Sequence, residues 1–307
     1  MRVLFRHVEI LCRAGFNAAI VRPRPGVAVN WFSSSAPVLY ASKELGLSAD
    51  DWVVIPEDYP GAIVALSGLQ CRRAVFCQNH YYIFNGIAPR RSWSDFGISE
   101  VLVSSQTIRD FVARVFGIAP THIPLSLDHS IFCSADVQRK LQVALMPRKG
   151  AYHIPFIKGI LHHLAPDLDD FAWVEIDGKN EHEVADILQQ SAFFLSTSNR
   201  EGFGLPPIEA MACGALVVGF KGGGGQEYAT ATNGFWVADE DAVAMSDGLR
   251  DLMRSYRQAP DDPRWQSVRE VGIATASRYS AEREESALIA FWNSRAPAAR
   301  HREVGCA

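Results

Sequence analysis

The run from Ser196 to Tyr228, STSNREGFGLPPIEAMACGALVVGFKGGGGQEY, narrows the fold more than any other part of the chain. The apolar residues Ala192 to Leu195 before it predict a buried strand. Pro207 to Cys213 predicts a short helix and Ala215 to Val218 the next strand. Strand, glycine loop, helix and strand in that order belong to an open α/β sheet, whose ligands bind where the strands end.

Within the run, Glu201 and Glu209 have seven residues between them, among them Gly202, Gly204, Pro206 and Pro207. The glycines allow a tight turn and close backbone approach to a ligand. Proline suits a helix start because its missing N–H has no intrahelical partner there. The free amides and dipole of that start attract an anion such as a diphosphate. Glu201 in the loop and Glu209 in the first turn can each accept hydrogen bonds from vicinal hydroxyls. Two carboxylates flanking an anion site suit a ligand both polyhydroxylated and phosphorylated, which describes a nucleotide-sugar. Taken singly, Glu209 also fits a plain dipole-pairing role, and the glycines fit ordinary turns.

EGFGLPPIEAMACGALVV, followed by a glycine-rich turn and Glu227, resembles the donor-binding signature of retaining glycosyltransferases with the GT-B fold, the large family-four group. The similarity is convincing from about Val101 to Tyr279 and weak before that. It implies that Glu201 faces the donor sugar and that Glu209 binds the nucleotide ribose. It implies further that backbone around Gly202, Phe203, Gly204 and Leu205 meets the sugar and diphosphate. Arg148 and Lys149, in MPRKG, follow the first strand of the second domain, and a fixed basic pair can stabilise a departing diphosphate. The family places an arginine and a lysine a few residues apart near this point, so the adjacent spacing is a departure. With such a pair, no metal is implied and no cofactor beyond the nucleoside-diphosphate sugar as donor substrate.

The remaining pattern alternates strand and helix in two series, which predicts two Rossmann-like domains facing a cleft. The expected division is an acceptor-side domain over 1–135 and a nucleotide-sugar domain over 136–278. A helix over 279–297 is expected to cross back to the first domain, with a frayed tail after Ala296. A GT-B first domain normally opens with a strand and a glycine-rich loop. Here Met1 leads almost directly into RHVEILCRAGFNAAIVRP, read as a helix and then a strand. The expectation is a first domain lacking its opening strand, which leaves transfer competence open. His80, in CQNHYYIFNG after a predicted strand, is a candidate acceptor-side residue or an ordinary structural histidine. Tyr81, Tyr82 and Phe84 could stack on a sugar ring or pack in the core, and Glu57, Asp58 and Tyr59 are equally open. Asp167/Asp169 and Asp239/Asp241 have Asp-x-Asp spacing on polar turns and read as solvated surface.

Composition excludes several classes. A net charge of −4 without a long basic run argues against a nucleic-acid partner. No apolar stretch reaches membrane-spanning length, so membrane contact is expected to be at most peripheral. Residues 1–15 lack a cleavable secretory pattern, and the six cysteines form no CxxC pair. A cytoplasmic protein with reduced thiols is expected. The function that follows is transfer of a hexose from a nucleoside-diphosphate sugar to a hydroxyl of a saccharide, glycolipid or small molecule. The alternatives are a catalytically impaired nucleotide-sugar-binding module and a nucleotide-sugar epimerase of the same fold.

Overall fold

The computed structural model describes residues 1–25, 32–41, 46–88 and 90–295; the tail expected after Ala296 and Cys306 lie outside them. The chain divides into two units. Unit 1 comprises Met1–Ser126 and the chain from Ala281 onward, and unit 2 comprises Leu127–Ser280.

Unit 1 opens with helix α1 (Arg2–Arg13), followed by short strands β1 (Ile20–Arg22) and β2 (Val38–Tyr40). Then come β3 (Trp52–Pro56), α2 (Pro60–Leu66), β4 (Arg72–Cys77), the short α3 (Ile83–Gly86), β5 (Glu100–Val103), α4 (Gln106–Phe116) and β6 (Thr121–His122). All pairings are parallel, but the strands fall into two sheets, β1-β2 and β3-β4-β5-β6. The core lies under β3 to β5, where Ile55, Val75, Val103 and Trp93 pack with Ile63 of α2 and Ile108 of α4. The ends of helix α4 are written locally. Ser105 Oγ accepts from the Ile108 amide 3.2 Å away, and Gly117 takes the left-handed conformation (φ 64°) that stops it.

Unit 2 contains β7 (Lys140–Leu145), α5 (His153–Leu164), β8 (Ala172–Glu175), α6 (Glu181–Gln190), β9 (Ser191–Ser196), α7 (Leu205–Ala212), β10 (Leu216–Phe220), β11 (Phe235–Val237), α8 (Ala242–Gln258) and α9 (Pro263–Ala276). Its five strands are all parallel in the order β11-β10-β9-β7-β8. Central β9 is buried at all six positions, as a strand covered on both faces must be. Its Phe193 packs edge-on against Tyr256 of α8, and Trp265 of α9 closes the same core. Helix α7 begins at Leu205, two residues earlier than the prolines suggest, because Gly204 (φ 88°) makes the turn before them. Among the described residues no helix is long and apolar enough to cross a membrane.

The last helix, α10 (Ala281–Asn293), belongs to unit 1 and packs on α1. Its Glu284 is fully buried and collects three partners. His7 Nε2 lies 3.1 Å from Oε1, Arg6 Nε lies 2.9 Å from Oε2 as an ion pair, and the Ser126 hydroxyl donates to Oε2. Burial pushes this carboxyl up, but His7, Arg6 and Ser126 together hold it below the usual carboxylate range. Removing the carboxylate leaves His7 and Arg6 facing a hole. Glu284→Ala is expected to cost about 3–5 kcal/mol, as for other broken buried pairs, read as a lowered urea midpoint. The carboxylate's contribution is present above the unfolded carboxyl pKa and is lost as pH falls through its lower folded value.

Candidate active site

Four loops leave the carboxyl ends of adjacent parallel strands in unit 2: 146–152 after β7, 197–204 after β9, 221–227 after β10 and 238–241 after β11. They are bound to one another through backbone. The Asn199 amide donates to the Lys149 carbonyl (2.9 Å), and Ser198 Oγ donates to the Arg148 carbonyl (3.3 Å). The Glu201 amide donates to Gly222 O (2.8 Å) and the Gly224 amide to Glu201 O (3.0 Å), so Glu201 and Gly223 form a one-residue parallel bridge. Glycine is required at this contact. A Cβ on Gly222 would sit 2.6 Å from Ser198 O, and one on Gly224 would overlap the backbone of Gly202 and Phe203. The amides of Gly222, Gly224 and Gly225 are therefore already engaged, by Asp239 Oδ1, Glu201 O and Lys221 O. The glycine run is a closely packed turn, and Glu227 ends its 3-10 turn.

The bridge holds Glu201 beside Lys149. Lys149 Nζ donates to Glu201 Oε2 at 2.8 Å, with both side chains largely shielded from water. Lys149, Arg200 and Glu240 all have positive φ (53°, 55° and 70°), a backbone strain that clusters on these loops. Arg148 behaves differently from its neighbour: it is exposed, and its carbonyl rather than its guanidinium is tied to the loop. Glu209 lies on α7, which Gly204 and Leu205 open, and is buried. Pro206 and Pro207 lack N–H groups, so the amides at the helix start that can meet an anion are those of Gly204 and Leu205. Gly202 is buried. The Phe203 ring is core, edge-on to Tyr228 and Tyr279, so only its backbone is available to a ligand.

Several residues of this constellation were not singled out by the sequence reading. Buried Tyr228 donates its phenol to Gly204 O at 2.7 Å and so sets the turn before α7; burial raises that phenol well above its ordinary pKa. Asp239, read as solvated surface, instead accepts from the Gly222 amide (3.0 Å). Asp241 caps α8 through the Ala244 amide, and Asp167 pairs with Arg254 and Arg257. Glu240 accepts from Tyr152 and Asn199, which holds its carboxyl low, and it also faces His153 Nε2 at 3.2 Å. A cavity of about 630 Å³ runs along β11, lined by Lys221, Gln226, Trp236 and Asp239 among others. Lys149, Glu201 and Glu209 do not line it.

In unit 1, His80 follows the carboxyl end of β4. It is buried against the rings of Tyr81 (centroids 4.2 Å) and Phe111 (4.8 Å), and burial lowers its pKa. Glu57 follows the carboxyl end of neighbouring β3 and is 3% exposed. Its Oε1 accepts from the Asn79 amide at 2.7 Å. Burial pushes its pKa from 4.5 up to about 7, against a partial offset from the Gln78 and Asn79 amides.

Comparison with known proteins agrees with this geometry. Residues 174–264 match the family model described as glycosyl transferases group 1. The chain is 28% identical over 225 residues to an α-1,6-glucosyltransferase of Actinobacillus pleuropneumoniae, covering 70% of this chain and 67% of that protein. Among solved structures, sucrose-phosphate synthase of Thermosynechococcus elongatus superposes with a TM-score of 0.68 at 14% identity, covering 94% of this chain and 91% of that one. TarM of S. aureus superposes with a TM-score of 0.61 at 15% identity, over 80% of this chain and 56% of that one. The fold is that of the GT-B class, α/β with parallel sheets. The group 1 match spans the segment that carries Glu201 and Glu209.

Two outcomes follow from the geometry. Gly224→Ala is expected to destabilise unit 2 by about 1–3 kcal/mol, because backbone cannot yield to the added carbon as a side-chain tip would; thermal denaturation measures this. Glu57 binds its proton more tightly in the folded state. Its contribution is full below pH 4.5 and is lost as pH rises through about 7. Chemical denaturation across that window is expected to show wild type losing on the order of 3 kcal/mol relative to Glu57→Gln.

Proposed function

We propose that the chain is a retaining hexosyltransferase, moving a hexose from a nucleoside-diphosphate sugar to a hydroxyl of a saccharide, glycolipid or small molecule without a metal ion. The observation that carries this reading is the Lys149–Glu201 pair, held by the Glu201–Gly223 bridge at the mouth of α7, with Glu209 on the same helix. It brings a cation from the β7 loop to a strand–loop–helix unit that holds an anion-binding helix start and two carboxylates. TarM has been crystallised with UDP, and a protein of Anabaena with the same fold has been crystallised with UDP-glucose, which supports a nucleotide-sugar as donor.

In this reading the diphosphate meets the amides of Gly204 and Leu205 and the Lys149 ammonium, with Arg148 reaching in from the exposed side. Donor arrival competes with Glu201 for Lys149 and frees that carboxylate to bond sugar hydroxyls. The bond from the anomeric carbon to the diphosphate oxygen then breaks, and its electron pair leaves with the diphosphate. Lys149 stabilises the growing charge. The acceptor hydroxyl passes its proton to the departing diphosphate oxygen and bonds the anomeric carbon on the same face. Glu209 receives the ribose hydroxyls. His80 is placed on the acceptor side.

Glu201→Ala and Lys149→Ala are each expected to lower kcat by about 10²–10³-fold with the fold retained. Glu209→Ala should instead weaken nucleoside-diphosphate binding by about tenfold or more in calorimetry, since it removes charge-assisted hydrogen bonds. Full activity in EDTA and NMR detection of the donor's anomeric configuration in the first product are the expected results. Near-normal transfer by both Glu201→Ala and Glu209→Ala would overturn the assignment.

A further inference from the structure

Lys149 holds a left-handed backbone conformation (φ 53°), which a residue with a side chain keeps only where its surroundings impose it. The loop that carries it is fastened to the β9 loop on both sides of that residue. Ahead of it, Ser198 Oγ donates to the Arg148 carbonyl. Behind it, Gly150 lies so close to Thr197 O that a Cβ there would overlap that oxygen. At Lys149 itself, the Asn199 amide donates to the carbonyl (2.9 Å). Asn199 is therefore the residue through which any constraint on the β9 loop reaches the Lys149 backbone directly.

Asn199 is in turn fixed from beyond a third strand. Its Nδ2 donates to the Tyr152 hydroxyl (2.7 Å) and to Glu240 Oε1. The Tyr152 hydroxyl donates its one proton to the same carboxylate, 2.7 Å from Oε2. His153 Nε2 stands 3.2 Å from Oε2, and the buried His153 ring is braced edge-on by Phe220 at the end of β10. Glu240 thus gathers partners from the β7 loop, the start of α5 and the β9 loop. It does so from just past β11, itself at positive φ (70°). Its neighbours Asp239 and Asp241 are engaged elsewhere, on the Gly222 amide and on the start of α8. A single exposed hydrogen bond would stabilise little, because water competes for it. Three partners sharing one carboxylate, with the Tyr152 and His153 rings in contact (centroids 4.1 Å), act as a network.

We propose that Glu240 is a positioning residue for Lys149. Its carboxylate locks Tyr152 and Asn199 together, and Asn199 passes that constraint to the Lys149 backbone, which aims the ammonium at Glu201. Glu240 meets no reacting atom in this role. The proposal rests on the transferase reading above for what Lys149 does, and on the geometry of unit 2 alone for the lock. Loss of the lock costs what Lys149 contributes to the departing diphosphate. It costs little of donor binding, since the Gly204 and Leu205 amides and Glu209 belong to α7 and its turn.

Release of nucleoside diphosphate from UDP-glucose, GDP-mannose and ADP-glucose, with methyl glycosides as acceptors, tests it on the full chain. Glu240→Ala is expected to lower kcat by about tenfold or more, with the donor KM within about threefold of wild type. Glu240→Gln, which keeps an acceptor for Asn199 and Tyr152, should hold kcat within about threefold. In a Lys149→Ala background, Glu240→Ala should change kcat by less than about twofold, because the group it positions is gone. A merely structural role makes the two losses multiply instead. That result, or wild-type kcat in Glu240→Ala, overturns the proposal. Hydrogen exchange on the ligand-free chain gives a readout independent of activity. Amides of residues 146–152 are expected to exchange about tenfold or more faster in Glu240→Ala and in Tyr152→Phe, with β9 unchanged. Unchanged exchange over 146–152 in both variants also overturns the lock. Calorimetry with UDP, GDP and ADP on wild type separates the two readings. Absence of any nucleotide binding sinks the transferase assignment and leaves the exchange result to decide the lock.

Discussion

Backbone-to-backbone closure of the loop after β9 on the turn after β10 is the contact on which the candidate site depends. Glu201 pairs with Gly223 as an isolated bridge, and Gly222 and Gly224 lie against Ser198 and Phe203 with no room for a side chain. Everything chemical is placed by it. Glu201 reaches Lys149 because its own backbone is fixed on both sides, at the amide and at the carbonyl. The second attachment of the same loop, Asn199 and Ser198 to the backbone of Lys149 and Arg148, brings the β7 loop into the assembly. Hydrogen-bonded backbone closures of this kind resist side-chain motion, so the carboxylate and ammonium are held before any ligand arrives.

Beneath that closure lies an aromatic layer, and above it a polar one. Phe203, Tyr228 and Tyr279 pack edge-to-face, and the Tyr228 phenol rises from this layer to grip Gly204 O. Glu240 ties Tyr152 to Asn199, while Asp239 receives the Gly222 amide. Three strained non-glycine residues sit among these bonds. Strain persists only where the surroundings over-determine it, and here packing supplies that from below and hydrogen bonding from above.

Unit 1 is organised by a different device. Its sheet strands split into two groups, and α1 and α10, distant in sequence, are joined by the buried Glu284 and its partners. Its polar strand ends carry a carboxyl pushed up by burial and an imidazole pushed down, in contrast to the Lys149–Glu201 ion pair of unit 2.

Much of the fold was legible in the sequence because it is written locally. The periodicity of Arg2–Arg13, Gln106–Phe116 and Glu181–Gln190, the Ser105 and Asn180 caps, and the unbroken apolar run of β9 each act within a few residues. The strands that went unread, β2, β6 and β11, have two or three residues each, too few for any pattern, and exist because a neighbouring strand pairs with them. The candidate site divides the same way. Glu201, Glu209 and the glycines announced themselves by spacing along one strand–loop–helix unit. Tyr228, Glu240 and Tyr152 did not, Asp239 reads as solvated surface and Glu57 stays open, because each acts on a loop far away in sequence or through burial. Sequence alone determined the alternation of elements and the residue types at the mouth of α7, both consequences of local geometry. Tertiary structure alone decided that Lys149 rather than Arg148 meets Glu201, that the glycine run packs against Ser198 and Phe203, and that Glu57 is buried. Those outcomes depend on distances between segments, which no local pattern contains.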